Sequence, residues 1–188
     1  NHLSANARGL YRLGLDLGLP RATELGARLL LAEAAHLFRP SGMLREESSH
    51  YHLLLARNYL DAWLAARRHG RPEAADLERV CRSALGAARI LDLPGGLPLI
   101  GDVSPDSPPP FLTGLLPDGD PATGWTGLLP DEERAAVTAL RDTAPAPDVE
   151  TLAADGWARL DAASWSLLTH AAPDGWPLAS GHGHQDLT

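Results

Sequence analysis

Between Asn1 and Leu93 the apolar residues recur every three to four positions, and only glycine- and proline-bearing breaks interrupt them. That is the helical period, so the first half of the chain must be α-helical. Leu3, Ala7, Leu10, Leu13 and Leu17 predict a first helix with those residues as its apolar stripe, stopped by Gly18-Leu19-Pro20. A second is expected from Thr23 to Leu37, ending before Arg39-Pro40-Ser41-Gly42. A third is expected from Ser49 to His69, with Leu53, Leu54, Leu60, Trp63 and Leu64 as its stripe. Gly70-Arg71-Pro72 breaks it, and Pro72 suits the first turn of a fourth helix reaching Leu91. Helices joined by such short breaks fold as antiparallel pairs.

Beyond Leu93 the pattern changes. Pro94-Gly95-Gly96-Leu97-Pro98 is a turn, and Ser104 to Pro110 is dense in proline. Proline ends helices and biases the preceding residue towards extended backbone. Residues 94–130 are therefore expected to hold little regular structure. One short helix is expected over Asp131 to Arg141, its acidic first turn matched to the helix dipole. Thr143 to Asp148 reads as a linker. After Thr151 the period becomes two. Gly156 to Leu160 and Trp165 to His170 read as short strands, and Pro173-Asp174-Gly175 as a turn into a further hairpin. Three regions result: a helical part (1–93), a Pro/Gly-rich connection (94–150) and the start of a β domain (151–188).

A chain of 188 residues can bury a sizeable core. It begins with Asn1 and closes on a motif with no element after it, so an internal segment of a longer protein is expected. The net charge of −8 argues against general binding to nucleic acid or membrane surfaces. All sixteen basic residues are arginine, which codon bias in a high-GC bacterial genome explains for most of them. A single cysteine, Cys81, excludes an internal disulfide and sits at a core position of the fourth helix. The sequence lacks the run of about 18 apolar residues that a transmembrane helix needs.

The C-terminal Gly181-His182-Gly183-His184-Gln185-Asp186 places three polar side chains at alternating positions. On an extended strand His182, His184 and Asp186 share one face. A packed strand has little use for that, whereas a proton-transfer or metal site has.

The order of motifs resembles the heparinase II/III-like polysaccharide lyases, which include related alginate lyases. Three segments carry the likeness: Asn1-His2-Leu3 opening a helix, Glu46-Glu47-Ser48-Ser49-His50-Tyr51-His52 opening another, and Gly156-Trp157-Ala158-Arg159-Leu160 followed by the histidine motif. The likeness covers nearly the whole chain, least over 103–150. It implies an α+β multidomain fold: an incomplete (α/α) toroid, then the first strands of an antiparallel β-sandwich, with the site between them. It implies β-elimination on an anionic uronate polysaccharide, no organic cofactor, and a periplasmic or secreted location. Part of the family carries zinc in the β domain. His184 resembles one ligand of that ion, and the remaining ligands would lie outside this segment.

β-Elimination removes the proton beside a uronate carboxylate and expels the oxygen at C4. The proton becomes acidic only when the charge building on the carboxylate is stabilised. A neutral amide and an imidazole do this, and the resemblance gives that role to Asn1 and His2. Read alone, Asn1 is an N-cap and His2 a surface residue. Tyr51 is the expected acid, and also the base if nearby positive charge stabilises its anion. Read alone, it is a core tyrosine with a hydrogen-bonded hydroxyl. His182 is the other candidate base, or a group that positions the uronate. Asp186 would fix an imidazole tautomer.

Glu46 and Glu47 read as caps of the Tyr51 helix ahead of the alternative, lining the cleft. His52 reads as a partner of the site or as an exposed residue, and Gly101-Asp102 as a structural turn. Trp125, Trp157, Trp165 and Trp176 are candidates for stacking on sugar rings, with Trp157 and Trp165 expected in the core. Arg45, Arg57 and Arg159 are the cations expected to draw an anionic substrate. Some heparinases carry a glutamate three residues after the first-motif histidine; this chain has Ala5, so epimer selection by that carboxylate is in doubt. Two other functions compete: a non-catalytic glycan-binding or capsule-assembly protein on the same fold, and a zinc hydrolase. The latter lacks a glutamate base at metalloprotease spacing.

Overall fold

The computed structural model describes residues 2–171. These residues are mostly helical with a small two-stranded antiparallel sheet, an α+β layout. The four long helices are α1 (His2–Asp16), α2 (Pro20–Leu37), α3 (Ser49–Arg68) and α4 (Ala74–Ala88), the last tightening into a 3-10 turn over Arg89–Leu91. Then come α5 (Gly124–Gly127), α6 (Asp131–Thr143), α7 (Val149–Ala154), β1 (Trp157–Asp161) and β2 (Ser166–His170). Pro20 begins α2 instead of ending the break before it, because its fixed φ suits a first helical turn.

The first helical pair buries only part of the expected stripe: Ala7 is in the core and Leu10 half-buried, but the seam is rotated away from the other leucines. The buried face of α1 is Ser4, Ala7, Tyr11 and Gly14, while Leu3, Leu13 and Leu17 are exposed. The reason lies in α2. A Cβ on Gly14 would stand 2.5 Å from the Thr23 backbone nitrogen, and one on Gly26 would stand 2.6 Å from that of Tyr11. Residue 14 thus faces 23 and residue 11 faces 26, which makes the pair antiparallel. The backbones come so close at these two points that only glycine fits opposite Thr23 and Tyr11, and Leu3, Leu13 and Leu17 are turned outward.

Helix α3 is the centre of the molecule. Its side chains are buried almost all round, as expected of a helix enclosed by neighbours. Leu53, Leu55, Tyr59, Leu60, Trp63 and Leu64 form its core, and α4 adds Leu77, Cys81 and Leu85. Burial raises the Cys81 thiol pKa well above its usual value.

Residues 94–130 are more ordered than expected. Proline forbids long helices there but permits 3-10 turns, which form at Pro109–Phe111 and Thr113–Leu115. Leu112, Leu115, Leu116 and Trp125 from this stretch are core residues. Arg141 of α6 holds the loop by donating from Nη1 to the carbonyls of Gly114 and Gly119, each at 2.8 Å. Arg89 covers the C-terminal end of α6, donating to the carbonyls of Ala144, Arg141 and Asp142. Helix α7 was not expected. Its N-cap is Asp148, whose carboxylate accepts the Thr151 N–H at 2.7 Å.

β1 and β2 form an antiparallel hairpin, Trp157 facing His170 and Asp161 facing Ser166. Trp157 is buried, but Trp165 is 55% exposed at the turn and not in the core. The hairpin is fastened to the helices. Arg159 donates to the carbonyls of Arg89 at 3.1 Å and Asp92 at 2.8 Å, and the Asp155 carboxylate accepts the Ser41 N–H at 2.8 Å. Among the described residues no helix is long and apolar enough to cross a membrane.

Candidate active site

An open cleft of about 420 Å³ lies between the N-terminal ends of α1 and α3 and the loop at 104–111. His2 and Tyr51 both line it, with Ala5 and Arg8 from α1, Arg57 and Asn58 from α3, and Ser104, Ser107 and Phe111 from the loop. Two of the residues expected to act together are therefore brought to one cavity by different helices. Asn1, His182 and His184 lie outside the described residues, as do Asp186 and Trp176.

Local structure fixes where Tyr51 stands. Ser48 is the N-cap of α3, and its Oγ accepts the Tyr51 N–H at 3.0 Å. The Ser48 hydroxyl donates to the Asp102 carbonyl at 2.6 Å, which ties the helix start to the turn at Gly101-Asp102. The N-cap position expected for the glutamates is thus taken by Ser48, and Glu47 is directed elsewhere. Glu47 has a left-handed backbone, φ 63°, uncommon for a residue with a side chain. Its carboxylate turns inward, buried, to pair with Arg39 at 3.2 Å, and the His170 ring lies 3.7 Å away. This ion pair connects the end of α2, the start of α3 and the hairpin.

The three tyrosines differ in what their hydroxyls do. Tyr11 donates to Glu73 at 2.8 Å and Tyr59 to the Leu30 carbonyl at 2.9 Å, both as buried structural bonds. Burial raises the pKa of each, reinforced at Tyr11 by the hydrogen bond and charge of Glu73 and at Tyr59 by the charge of Glu33. Tyr51 is half-buried on the cleft wall, and among the described residues its hydroxyl bonds to no neighbour.

The histidines that flank Tyr51 are structural. His50 accepts the Ser104 N–H on Nδ1 at 3.0 Å, and burial lowers its pKa against a smaller opposing effect from the Ser107 backbone. His52 is fully buried, neither exposed nor at the cleft. Its Nδ1 accepts the Leu44 N–H at 3.2 Å, so Nε2 carries the proton and donates to the Ala84 carbonyl at 2.9 Å. Desolvation lowers its pKa to about 4. Below pH 6.5 the unfolded chain takes up a proton that the folded chain refuses, so stability falls as pH drops from about 6.5 to about 4. The expected loss from His52 is roughly 3 kcal/mol, measured by urea unfolding at pH 7 and pH 4. A His52→Gln variant should show a flatter profile.

Of the cations expected to draw substrate, Arg57 lines the cleft, Arg45 is exposed elsewhere, and Arg159 is committed to the hairpin. Trp125 is buried beneath Arg57, its ring centroid 5.8 Å from the guanidinium carbon, and is not a free stacking platform. Arg8 was missed, although helical spacing points to it: Ala5 and Arg8 follow His2 at three-residue steps. Asn58 stands seven residues after Tyr51, on the same face of α3. Ser104, Ser107 and Phe111 reach the cleft through the fold of the loop, which no local pattern encodes. Among the described residues no group of three or more His, Cys, Asp and Glu is placed to hold a metal ion, and the expected ligand His184 is not one of them. Compared with known families, curated proteins and solved structures, the chain matches none of them.

Proposed function

We propose that this chain is part of a polysaccharide lyase that cleaves a uronate-containing glycan by β-elimination. The observation that carries the reading is the shared cleft of His2 and Tyr51, two residues that the family resemblance assigns to one reaction. The Tyr51 hydroxyl, without a hydrogen-bond partner among the described residues, and the two arginines in the same cleft support it. A uronate would place its carboxylate towards the amide-imidazole pair Asn1 and His2, which stabilises the charge that develops there. A base, Tyr51 or His182, takes the C5 proton, the C–H electrons form the C4=C5 double bond, and the C4–O bond breaks. Tyr51 gives the leaving oxygen its proton. The helical layer belongs to an incomplete (α/α) toroid in this reading, and the hairpin to the first strands of a β-sandwich.

The test is ultraviolet absorbance at the unsaturated-uronate band when the full-length protein meets alginate, heparan sulfate or hyaluronan. A rise with at least one polymer is expected. Glycan binding without a rise would make the protein a non-catalytic binder, and new reducing ends without a rise would make it a hydrolase.

A further inference from the structure

Arg57 differs from the other charged groups of the cleft. Arg8 is answered by Asp61 at 3.2 Å, and the same carboxylate takes Arg12 at 2.6 Å. Asp106 stands exposed at the rim. Arg57 has no carboxylate within ion-pair distance among the described residues. Its Nη1 donates to Asn58 Oδ1 at 3.2 Å, while its Nε is buried with no hydrogen-bond partner there. The guanidinium is held over Trp125, which fixes the fork on the cleft wall. Burial and the neighbouring Arg8 charge both work against the cation, with Asp61 opposing them. A structural arginine normally spends its five donors on protein acceptors, as Arg89, Arg141 and Arg159 do here. Among the described residues Arg57 spends one donor on Asn58. A buried Nε without a hydrogen-bond partner there is found at Arg8 and Arg12 too, and what sets Arg57 apart is a place on the cleft wall with no carboxylate partner among the described residues.

We propose that Arg57 is an oxyanion receptor of the cleft, binding a carboxylate or sulfate on the sugar next to the one that reacts. The inference rests on the lyase reading for the identity of the substrate, but the receptor role rests on Arg57 alone. Two oxygens of a carboxylate or of a tetrahedral sulfate match the guanidinium fork, and a desolvated cation binds them more strongly than a hydrated one. Arg57 is thereby a substrate-positioning residue: it sets which ring of the polymer reaches Tyr51.

The experiment uses the full-length protein carrying Tyr51→Phe, so that bound glycan is not turned over. Binding of an unsulfated oligouronate and of a sulfated glycosaminoglycan oligosaccharide is measured by calorimetry for this parent and with Arg57→Met or Arg57→Lys added. Methionine keeps an apolar stem against Trp125, so the urea midpoint should not move. Arg57→Met is expected to weaken binding roughly ten- to hundredfold, as loss of a charge-assisted hydrogen bond does. Arg57→Lys should recover part of that, and the loss should shrink at high salt. A loss confined to the sulfated probe identifies sulfate as the occupant; a loss with the unsulfated one identifies carboxylate. Equal affinity of the parent and Arg57→Met for both probes, or no binding of either probe to the parent, overturns the proposal. Arg57-dependent binding by a protein that forms no unsaturated product would end the lyase reading and leave the receptor standing.

Discussion

Tyr51→Phe is expected to lower kcat about 10²- to 10⁴-fold, the usual contribution of a positioned acid or base, while glycan affinity changes by no more than a few fold. Steady-state kinetics by ultraviolet absorbance and calorimetric titration of the same variant check the two halves separately. The substitution is a clean one here. The Tyr51 hydroxyl has no bond within the described fold, so phenylalanine leaves no buried group unsatisfied and unfolding should be unaffected. The same change at Tyr11 would strip Glu73 of a 2.8 Å hydrogen bond and leave that buried carboxylate with Arg71. Full activity in Tyr51→Phe would remove the acid from the mechanism, and with it the main reason to read the cleft as an active site.

The second large effect is on stability. Arg39→Met leaves the Glu47 carboxylate buried without its guanidinium partner, and breaking a buried pair from one side costs about 3–5 kcal/mol. For a chain of this size the midpoint of thermal unfolding should fall by roughly 6–20 °C. Adding Glu47→Gln removes the uncompensated charge and should restore part of the loss, which a double-mutant cycle in urea would show. A single variant as stable as the parent would mean that the pair contributes nothing. The effect reaches function because Glu47 immediately precedes Ser48, the cap that seats Tyr51. The left-handed backbone of Glu47, φ 63°, lies directly beside that cap.

The four long helices were legible because each carries a full helical period and ends at glycine or proline. Their boundaries fall within three residues of expectation. The facing of α1 was not legible. Leucine spacing marks a stripe, but which stripe is buried depended on Gly26 of another helix. The turns at 109–115 and helix α7 escaped because they are shorter than any period can reveal. At the site, His2 and Tyr51 were found through resemblance and not through spacing, since nothing local links α1 to α3. The role of Glu47 was misread because a left-handed residue swings its side chain away from the helix it precedes. Arg57 is one of three cations expected to draw substrate, and its place in the cleft with no carboxylate partner among the described residues distinguishes it.

The close contact at Gly14 and Gly26 also limits how the cleft can change shape. Helices slide past one another through a layer of side chains that can exchange rotamers, and at these two points α1 and α2 have almost no such layer between them. Those two contacts oppose sliding of α1 along α2, the helix that carries both His2 and Arg8 being locked to its neighbour there. Any widening of the cleft is then a swing of that pair against α3, restrained where Arg8 and Arg12 grip Asp61.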